Sequence, residues 1–393
     1  MSPETQEFKA DIVIVGGGII GSAAAYFLAI GGRAGRVAVI EPDPSYERAA
    51  TPAGAGGVRR LMSRVENIQM SQFSLDFYAK FEDSLGTDIQ FKRQGYLFLA
   101  TKDGAAVMEQ NFETQRQEGV DAELLDLPAL QSRFPSVGVD NVALACHSPR
   151  DGWIDPYAAL MGFRKKAESL GVSYIKDRVI GLETSKGAVS GARLESGGTL
   201  RGAVFLNTAG PWAAEVAAMI GATLPVRPMC RVQHYWRCGA PLEPLPLIKD
   251  ETGAFLRPEG AGFVGGRPSW AIDPGFVWEV DRGYFATYFE DTVWPLLAAM
   301  VPKFETIRLE RTWGGHYAQN LFDGNMIIGR FSEGFENFYT ACGFSGHGIM
   351  HAPAVGRALA ELALAGQFET LDLSRMGMHR IWDDSPYPEL GIR

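Results

Sequence analysis

The sequence predicts a two-domain α/β protein whose first domain is built around a β-α-β unit. Three observations support this fold class. The 393 residues are too many for one hydrophobic core and suit two domains, and 46% of them are apolar. Near the N-terminus a glycine-rich turn separates a β-branched run from an alanine-rich run. A central block of the chain has a different pattern of short strand-like runs.

The N-terminal unit follows from consecutive segments. Residues 11–15 are mostly β-branched, as expected of a parallel strand that is buried on both faces. After the glycine turn, residues 19–29 are rich in alanine and predict a helix. Residues 36–40 predict a second buried strand, which completes the β-α-β unit.

Later segments extend both domains. Residues 203–207 predict a strand, and residues 337–366 continue the first domain near the C-terminus. Between them lie strand-like runs at 232–237 and 254–256 and an amphipathic helix at about 281–301. We therefore predict a discontinuous dinucleotide-binding domain and a substrate domain, with these bounds: 1–87, 143–224 and 314–393 for the first, 88–142 and 225–313 for the second.

Gly16, Gly18 and Gly21 form the pattern G-x-G-x-x-G between the predicted strand and helix, and Glu41 ends the next strand. In such a unit the first glycine permits a tight turn, the second lets the backbone approach a pyrophosphate, and the third lets helix and strand pack closely. The acid accepts hydrogen bonds from ribose hydroxyls and disfavours the 2′-phosphate of NADP. An ordinary strand-to-helix turn is the alternative, but the whole unit favours dinucleotide binding.

Composition excludes several classes of function. The net charge of −9 and the pI near 5.3 disfavour nucleic acid and anionic membranes as partners. The four cysteines form no C-x-x-C pair, which favours a reducing cytoplasm. The apolar residues 12–30 contain the glycine turn and predict no spanning segment. His347 and His351 lack the glutamate of a zinc-binding helix, so we expect no metal.

Two further glycine turns suit a cofactor. Residues 204–208 predict a buried strand that runs into Ala209 and Gly210, where the backbone can pass close to a ligand. The segment 343–348 has three glycines between a strand at 338–342 and a helix that we expect to begin near Pro353. The positive end of that helix would stabilise negative charge on a bound reduced flavin.

These segments together resemble the FAD-dependent D-amino-acid oxidase superfamily, within the branch of sarcosine oxidase, glycine oxidase and the N-methyl and D-amino acid dehydrogenases. The matching segments, in the family's order, are DIVIVGGGIIGSAAAYFLA, GAGGVRR, FLNTAGPWA, WGGHYAQNLFDGNMIIG and ACGFSGHGIMHAPAVGRALAEL. The resemblance implies a glutathione-reductase-type FAD-binding domain beside an α+β substrate domain with an antiparallel sheet. It also implies an oxidoreductase acting on CH-NH or CH-NH2 donors, with hydride transfer to flavin N5 and an imine that hydrolyses.

The resemblance also implies site residues. Arg59 and His347 would lie beside the flavin, although an ordinary surface role for Arg59 is an alternative. The expected catalytic residues are Arg59, His347, Tyr317, Tyr235 and Arg257, and His234, Arg267 and His316 are further candidate contacts. They lie in loops or strand ends beside the matching segments, and a purely structural role is the alternative for each of them. The expected FAD-binding residues are Gly16, Gly18, Ile19, Ile20, Gly21, Glu41, Pro42, Gly57, Val58, Arg59, Val179, Ala209, Gly210, Trp212, Gly315, Gly346, His347, Gly348, Ile349 and Met350.

At three positions the sequence differs from the sarcosine oxidases, and these differences bear on the substrate and on how FAD is attached. Met62 and Met350 replace two cations that hold the carboxylate in sarcosine oxidases, so we expect sarcosine to be a poor substrate and a larger N-substituted acid a better one. His316 stands where those enzymes carry the cysteine that tethers the flavin, and residues 49–60 contain no histidine. We therefore expect non-covalent FAD.

Three hypotheses for function remain open. The first is an FAD-dependent oxidase or dehydrogenase of amines or N-methyl amino acids, and the second acts on an opine or another N-substituted acid. The third is a flavoprotein that assembles a larger complex. Met1 to Ala10 contains two glutamates and no arginine, unlike a mitochondrial presequence, which counts against this third hypothesis. An NAD dehydrogenase is a weaker fourth. Oxygen or another acceptor would reoxidise the flavin.

Overall fold

The computed structural model describes residues 7–269, 274–278, 282–331 and 334–392. Its strands fall into four sheets. In chain order they are β1 (Glu7–Lys9), β2 (Ile12–Val15), β3 (Val37–Ile40), β4 (Gly57–Val58), β5 (Tyr96–Ala100), β6 (Glu123–Leu125), β7 (Leu144–Ser148), β8 (Gly152–Trp153), β9 (Ser173–Ile175), β10 (Val179–Ser185), β11 (Ala188–Leu194), β12 (Thr199–Arg201), β13 (Val204–Asn207), β14 (Val226–Cys238), β15 (Leu247–Asp250), β16 (Phe255–Glu259), β17 (Gly262–Gly266), β18 (Ile307–Asn320), β19 (Ile327–Arg330) and β20 (Phe338–Cys342).

The α-helices of the described residues pack on both domains. In chain order they are α1 (Ile19–Ile30), α2 (Ala50–Ala53), α3 (Val65–Tyr78), α4 (Phe81–Leu85), α5 (Ala105–Gln117), α6 (Leu127–Arg133), α7 (Pro156–Ser169), α8 (Ala213–Ala218), α9 (Arg282–Tyr288), α10 (Trp294–Met300), α11 (Gly348–Ala365) and α12 (His379–Trp382). Short 3-10 turns span Gly210–Trp212, Pro302–Glu305 and Ser374–Met376, and a π-helical turn spans Phe289–Val293.

The first domain is built on a six-stranded sheet in the order β19-β20-β13-β2-β3-β9. All its strands are parallel except β19, and β2, β3 and β20 are buried along their whole length. Helices α1 and α11 cover one face, while α8 and the sheet that contains β10 to β12 cover the other. The prediction of a β-α-β dinucleotide fold is confirmed.

Parallel pairing places the carboxyl ends of four strands at one edge of this sheet. Val15 pairs with Ile40 and with Asn207, and Asn207 pairs with Thr340. The segments that follow these strands, including the glycine triplet and the glycine loop 343–348, therefore emerge side by side. Ligands of open α/β sheets bind in the crevice beyond this edge.

The second domain is built on an eight-stranded sheet in the order β18-β14-β17-β16-β15-β5-β7-β6, in which β15 and β5 are parallel and the other pairs are antiparallel. One face packs on α10 and the π-helical turn. The other face carries Tyr96, Phe98 and Leu247 and contacts Leu61 of the first domain. The two long strands β14 and β18 extend from this sheet toward the crevice.

The domain boundaries stay a prediction. Strand β7 lies in the eight-stranded sheet although it follows the predicted boundary at 142, and β18 crosses the predicted boundary at 313. Strand β18 pairs with β14 in the eight-stranded sheet, and Gln319 near its end forms an isolated bridge with Phe344, which follows β20 of the first domain.

The helix predicted at 281–301 is present from residue 282 to residue 300 as α9, the π-helical turn and α10. Phe285 and Phe289 are buried, in agreement with a core role. Trp270 and the side chain of Tyr284, which belong to the same aromatic-rich stretch, lie outside the described residues.

The predicted start of the last long helix is wrong. Helix α11 begins at Gly348 and not near Pro353, which lies inside it. A proline inside a helix leaves the carbonyl four residues earlier without its N–H partner. Here that carbonyl belongs to Ile349, and the hydroxyl of Tyr78 on α3 donates to it at 2.6 Å. A side chain from another helix therefore permits the earlier start.

Candidate active site

The glycine triplet leaves room only at its centre. Gly16 has φ of +99°, and a Cβ on it would lie 2.7 Å from the carbonyl oxygen of Thr208. A Cβ on Gly21 would lie 2.0 Å from the carbonyl oxygen of Gly16. At Gly18, by contrast, no heavy atom of the described residues lies within 4 Å of that position. The turn is closed by packing around an open central glycine, as a dinucleotide site requires.

Glu41 borders this open space at the end of β3. Its Oε2 accepts from the backbone N–H of Gly17 at 2.9 Å, and its Oε1 accepts from that of Asp43 at 2.9 Å. Burial raises the pKa of Glu41, and these two hydrogen bonds oppose the shift. An ionised carboxylate has about four acceptor positions, so lone pairs remain for ribose hydroxyls.

Two helices begin at the same crevice. The N-cap of α1 is Gly18, which has no side chain, and the N-cap of α11 is His347, whose side chain does not cap the described N–H groups of that helix. Each helix therefore presents free N–H groups and the positive end of its dipole to the crevice. The arrangement suits an anionic ligand such as a dinucleotide.

Arg59 is buried with 2% of its surface exposed, so the surface alternative is wrong. Its Nη2 lies 3.2 Å from Nε2 of His347, and its Nε donates to the carbonyl of Leu61 at 3.3 Å. A guanidinium group only donates, so Nε2 of His347 accepts and Nδ1 carries the proton. The structure thus brings together two predicted residues that are far apart in sequence.

Aromatic rings support the guanidinium group. Its central carbon lies 5.4 Å from the ring centre of Tyr96 and 5.3 Å from that of Phe98. Burial raises the pKa of the Tyr96 hydroxyl, and the charge of Arg59 opposes this shift. The next residue, Arg60, instead pairs with Asp151 at 2.9 Å.

His351 lies behind this pair on α11. Its Nε2 is 3.0 Å from the hydroxyl of Ser71. Burial lowers the pKa of His351 to about 3, and the charge of Arg59 contributes. The ring is therefore neutral near pH 7. Within the described ranges, no three His, Cys, Asp or Glu side chains form a metal-binding group.

Tyr317 also lies beside the glycine loop. Its Cε1 is 3.6 Å from the position that a Cβ on Gly346 would take. The Nε of Arg231 donates to the hydroxyl of Tyr317 at 2.8 Å, and its guanidinium carbon lies 4.8 Å from the ring centre. The Arg59–His347 contact and the Arg231–Tyr317 pair therefore both lie at the glycine loop.

The other predicted polar residues make contacts with the protein itself. Arg257 donates to the carbonyl of Ala55 at 2.7 Å, which holds the segment before Arg59. The hydroxyl of Tyr235 lies beside Gly262 at the end of β17. Three more make contacts in or beside the eight-stranded sheet: Nε2 of His316 accepts from the N–H of Val277 at 2.8 Å, Nδ1 of His234 lies 3.0 Å from the hydroxyl of Thr312, and Arg267 donates to the carbonyl of Thr252 at 3.0 Å.

Several predicted cofactor contacts border the glycine turns. The ring of Trp212 stacks on Phe276 with a centroid distance of 4.9 Å. A Cβ on Gly315 would lie 2.4 Å from Cβ of Ala53, so β18 passes close to the segment that leads to Arg59. Met62 and Met350 are buried in the apolar core.

Two cations at the site were missed by sequence reasoning. Arg231 lies on β14, and Lys249 lies on β15 beside Phe98. Lys249 follows an apolar run that ends at Ile248, and a lysine in a buried strand is unusual. That contrast is the signal by which Lys249 could have been found, whereas Arg231 belongs to no motif of the sequence that pointed to the site.

Comparisons with known proteins agree with this geometry. The family described as FAD dependent oxidoreductase, DAO, matches residues 11–362. The FAD-dependent oxidoreductase domain-containing protein 1 of Xenopus laevis is 38% identical, over 98% of this chain and 85% of that protein. Human mitochondrial dimethylglycine dehydrogenase is 28% identical over all of this chain, which spans 47% of that relative.

A solved structure is also similar. The L-proline dehydrogenase of P. horikoshii superposes with a TM-score of 0.85 and 27% identity, over 97% of this chain and 100% of that chain. Across the described part of the chain, the helices are too short or too polar to span a membrane.

Proposed function

This chain belongs to the DAO family of FAD-dependent oxidoreductases, and on that premise we propose that it oxidises the C–N bond of an N-substituted amino acid. Two relatives support this substrate class. Dimethylglycine dehydrogenase and L-proline dehydrogenase are both named for amino acids whose nitrogen carries an additional carbon substituent. The product imine or iminium ion hydrolyses in water.

The crevice residues fit FAD. Gly16, Gly18, Gly21 and Glu41 would hold its ADP half together with the N-terminus of α1. The glycine loop, Gly210 and the N-terminus of α11 would border its flavin half. The fit rests on the open space at Gly18 and on the two uncapped helix starts.

Bound FAD supplies a two-electron acceptor for the hydride that leaves the carbon next to nitrogen. The contact between Arg59 and His347 is the observation on which we base the proposed substrate-binding site. Arg59 is a fixed positive charge that would orient a carboxylate.

The proposed reaction can be tested by anaerobic bleaching of the bound flavin with primary, N-methylated and N-carboxyalkylated amino acids. We expect secondary amines of amino acids to bleach faster than simple alkylamines, because Arg59 binds their carboxylate. Sarcosine should be slow, since Met62 and Met350 are buried apolar residues. Rapid bleaching by sarcosine would contradict the argument from these two positions.

The same panel separates the other hypotheses. Fast bleaching by N-carboxyalkylated acids alone would favour an opine-type enzyme. Failure of every amine in the panel would favour a role in assembling a larger complex. Aerobic repeats with and without an artificial acceptor then distinguish an oxidase from a dehydrogenase. The cytoplasmic location inferred from the cysteines stays a prediction, and the mitochondrial location named above is that of a relative.

We also expect FAD to be held without a covalent bond. Nε2 of His316 already accepts from the backbone N–H of Val277, which gives that nitrogen a structural contact. Acid precipitation should leave the yellow colour in the supernatant. Flavin fluorescence that stays with the denatured chain in a gel would show the opposite, and a His316→Gln variant would then locate the bond.

A further inference from the structure

The side chains of β15 alternate between the core and the site. Ile248 packs in the core beneath α10, whereas Cδ1 of Leu247 lies 3.1 Å from the position of a Cβ on Gly57. Because successive side chains of a strand point to opposite faces, Lys249 shares the face of Leu247. Lys249 therefore lies on the face of the sheet that borders the segment of Gly57 and Arg59.

Lys249 and Arg59 are both neighbours of Phe98. Lys249 pairs directly with Phe98 on the neighbouring parallel strand, and the guanidinium carbon of Arg59 lies 5.3 Å from the centre of that ring. Burial lowers the pKa of Lys249 to about 7, with a further contribution from the charge of Arg59 that Asp250 opposes. The two cations are thus electrostatic neighbours.

These two charges have no carboxylate partner among the described residues. Asp250 accepts instead from the N–H and hydroxyl of Thr252, which caps a turn. Arg59 contacts a carbonyl and a neutral imidazole, and no described carboxylate lies within ion-pair distance of either cation. Like charges brought close together destabilise each other unless an anion lies nearby. The pair is therefore suited to a bound anion.

We propose that Lys249 and Arg59 together hold the carboxylate of the substrate, so that Lys249 determines specificity in this chain. The inference rests on the proposed oxidation of an amino acid. The resemblance to sarcosine oxidases implies two cations where this chain has Met62 and Met350. Strand β15 supplies a cation from the opposite domain, so the carboxylate is held from the substrate sheet.

The pH dependence of this site follows from the groups packed around Lys249. They are Arg59 beyond β4, Tyr96 on β5, Arg257 on β16 and Asp250 on β15 itself. Arg257 donates to the carbonyl of Ala55 and to Glu259, and burial raises the pKa of Tyr96. A bound carboxylate stabilises the charged lysine, so its binding should weaken as pH rises above about 7.

The test is a titration of the FAD-loaded protein with propionate between pH 6 and pH 9, followed by the change in flavin absorbance. Propionamide, which has the same shape without the charge, is the ligand control. We expect the Kd of the wild type to rise about tenfold per pH unit above pH 7. Lys249→Met should weaken propionate binding about tenfold or more at pH 6 and remove the pH dependence. Lys249→Arg should bind at every pH.

FAD content and thermal unfolding of each variant check that the fold is retained. The inference is overturned if Lys249→Met binds propionate like the wild type and with the same pH profile. It is also overturned if the substitution changes only the reduction potential of the flavin. If no amine bleaches the wild type but propionate binding still depends on Lys249, the proposed reaction fails and the anion site stands. If amino acids bleach both proteins equally well, the reaction stands and the inference fails.

Discussion

A Gly18→Ala variant is expected to fold like the wild type and to lose bound FAD. The backbone at this glycine has φ of −61° and ψ of −173°, which an alanine adopts without strain. No heavy atom of the described residues lies within 4 Å of the added methyl group. The methyl group would occupy the space that the pyrophosphate needs. We expect FAD affinity to fall about a hundredfold, which corresponds to about 2.7 kcal/mol.

A matched control lies at the other end of the same helix. Gly31, the C-cap of α1, also has open space around its Cβ position and has φ of −80°. Gly31→Ala should therefore keep both its fold and its FAD. Flavin absorbance after gel filtration and the thermal unfolding of the FAD-free proteins measure the two effects separately. Equal FAD retention by both variants would show that Gly18 does not border the cofactor.

An Arg59→Met variant is expected to lose most activity toward amino acids. Methionine fills part of the buried volume but removes the charge that lies 3.2 Å from Nε2 of His347. Loss of a buried charge that binds a carboxylate lowers kcat/KM by about a hundredfold or more. Stopped-flow reduction of the flavin under anaerobic conditions is the measurement.

Two comparisons show whether the charge is the cause. Arg59→Lys keeps the charge and should recover part of the rate, although a lysine cannot bind both carboxylate oxygens in the same way. The decarboxylated amine of the best substrate should react at similar rates with the wild type and Arg59→Met. If the amine loses as much rate as the amino acid, Arg59 acts on the position of the flavin and not on the substrate carboxylate.

Features with a local cause could be predicted from the sequence. The glycine triplet and Glu41 depend on strand, turn and helix signals within one short segment. Lys249 could not be placed, because its direct partner Phe98 lies in a distant segment and only the pairing of β15 with β5 brings them together. The start of α11 was missed for a similar reason, since Tyr78 lies on another helix.

Because the hydroxyl of Tyr78 bonds the carbonyl of Ile349, which Pro353 leaves without an N–H partner, the residues tolerated at positions 78 and 353 depend on each other during evolution. While Pro353 is present, losing the hydroxyl would leave a polar group without its bond at a cost of about 1 to 3 kcal/mol. Once Pro353 is replaced, its new N–H can bond that carbonyl and the tyrosine becomes dispensable. Substitutions should therefore be tolerated in one order and not in the other: Tyr78, which bonds the beginning of α11 next to the glycine loop, can change only after Pro353 does.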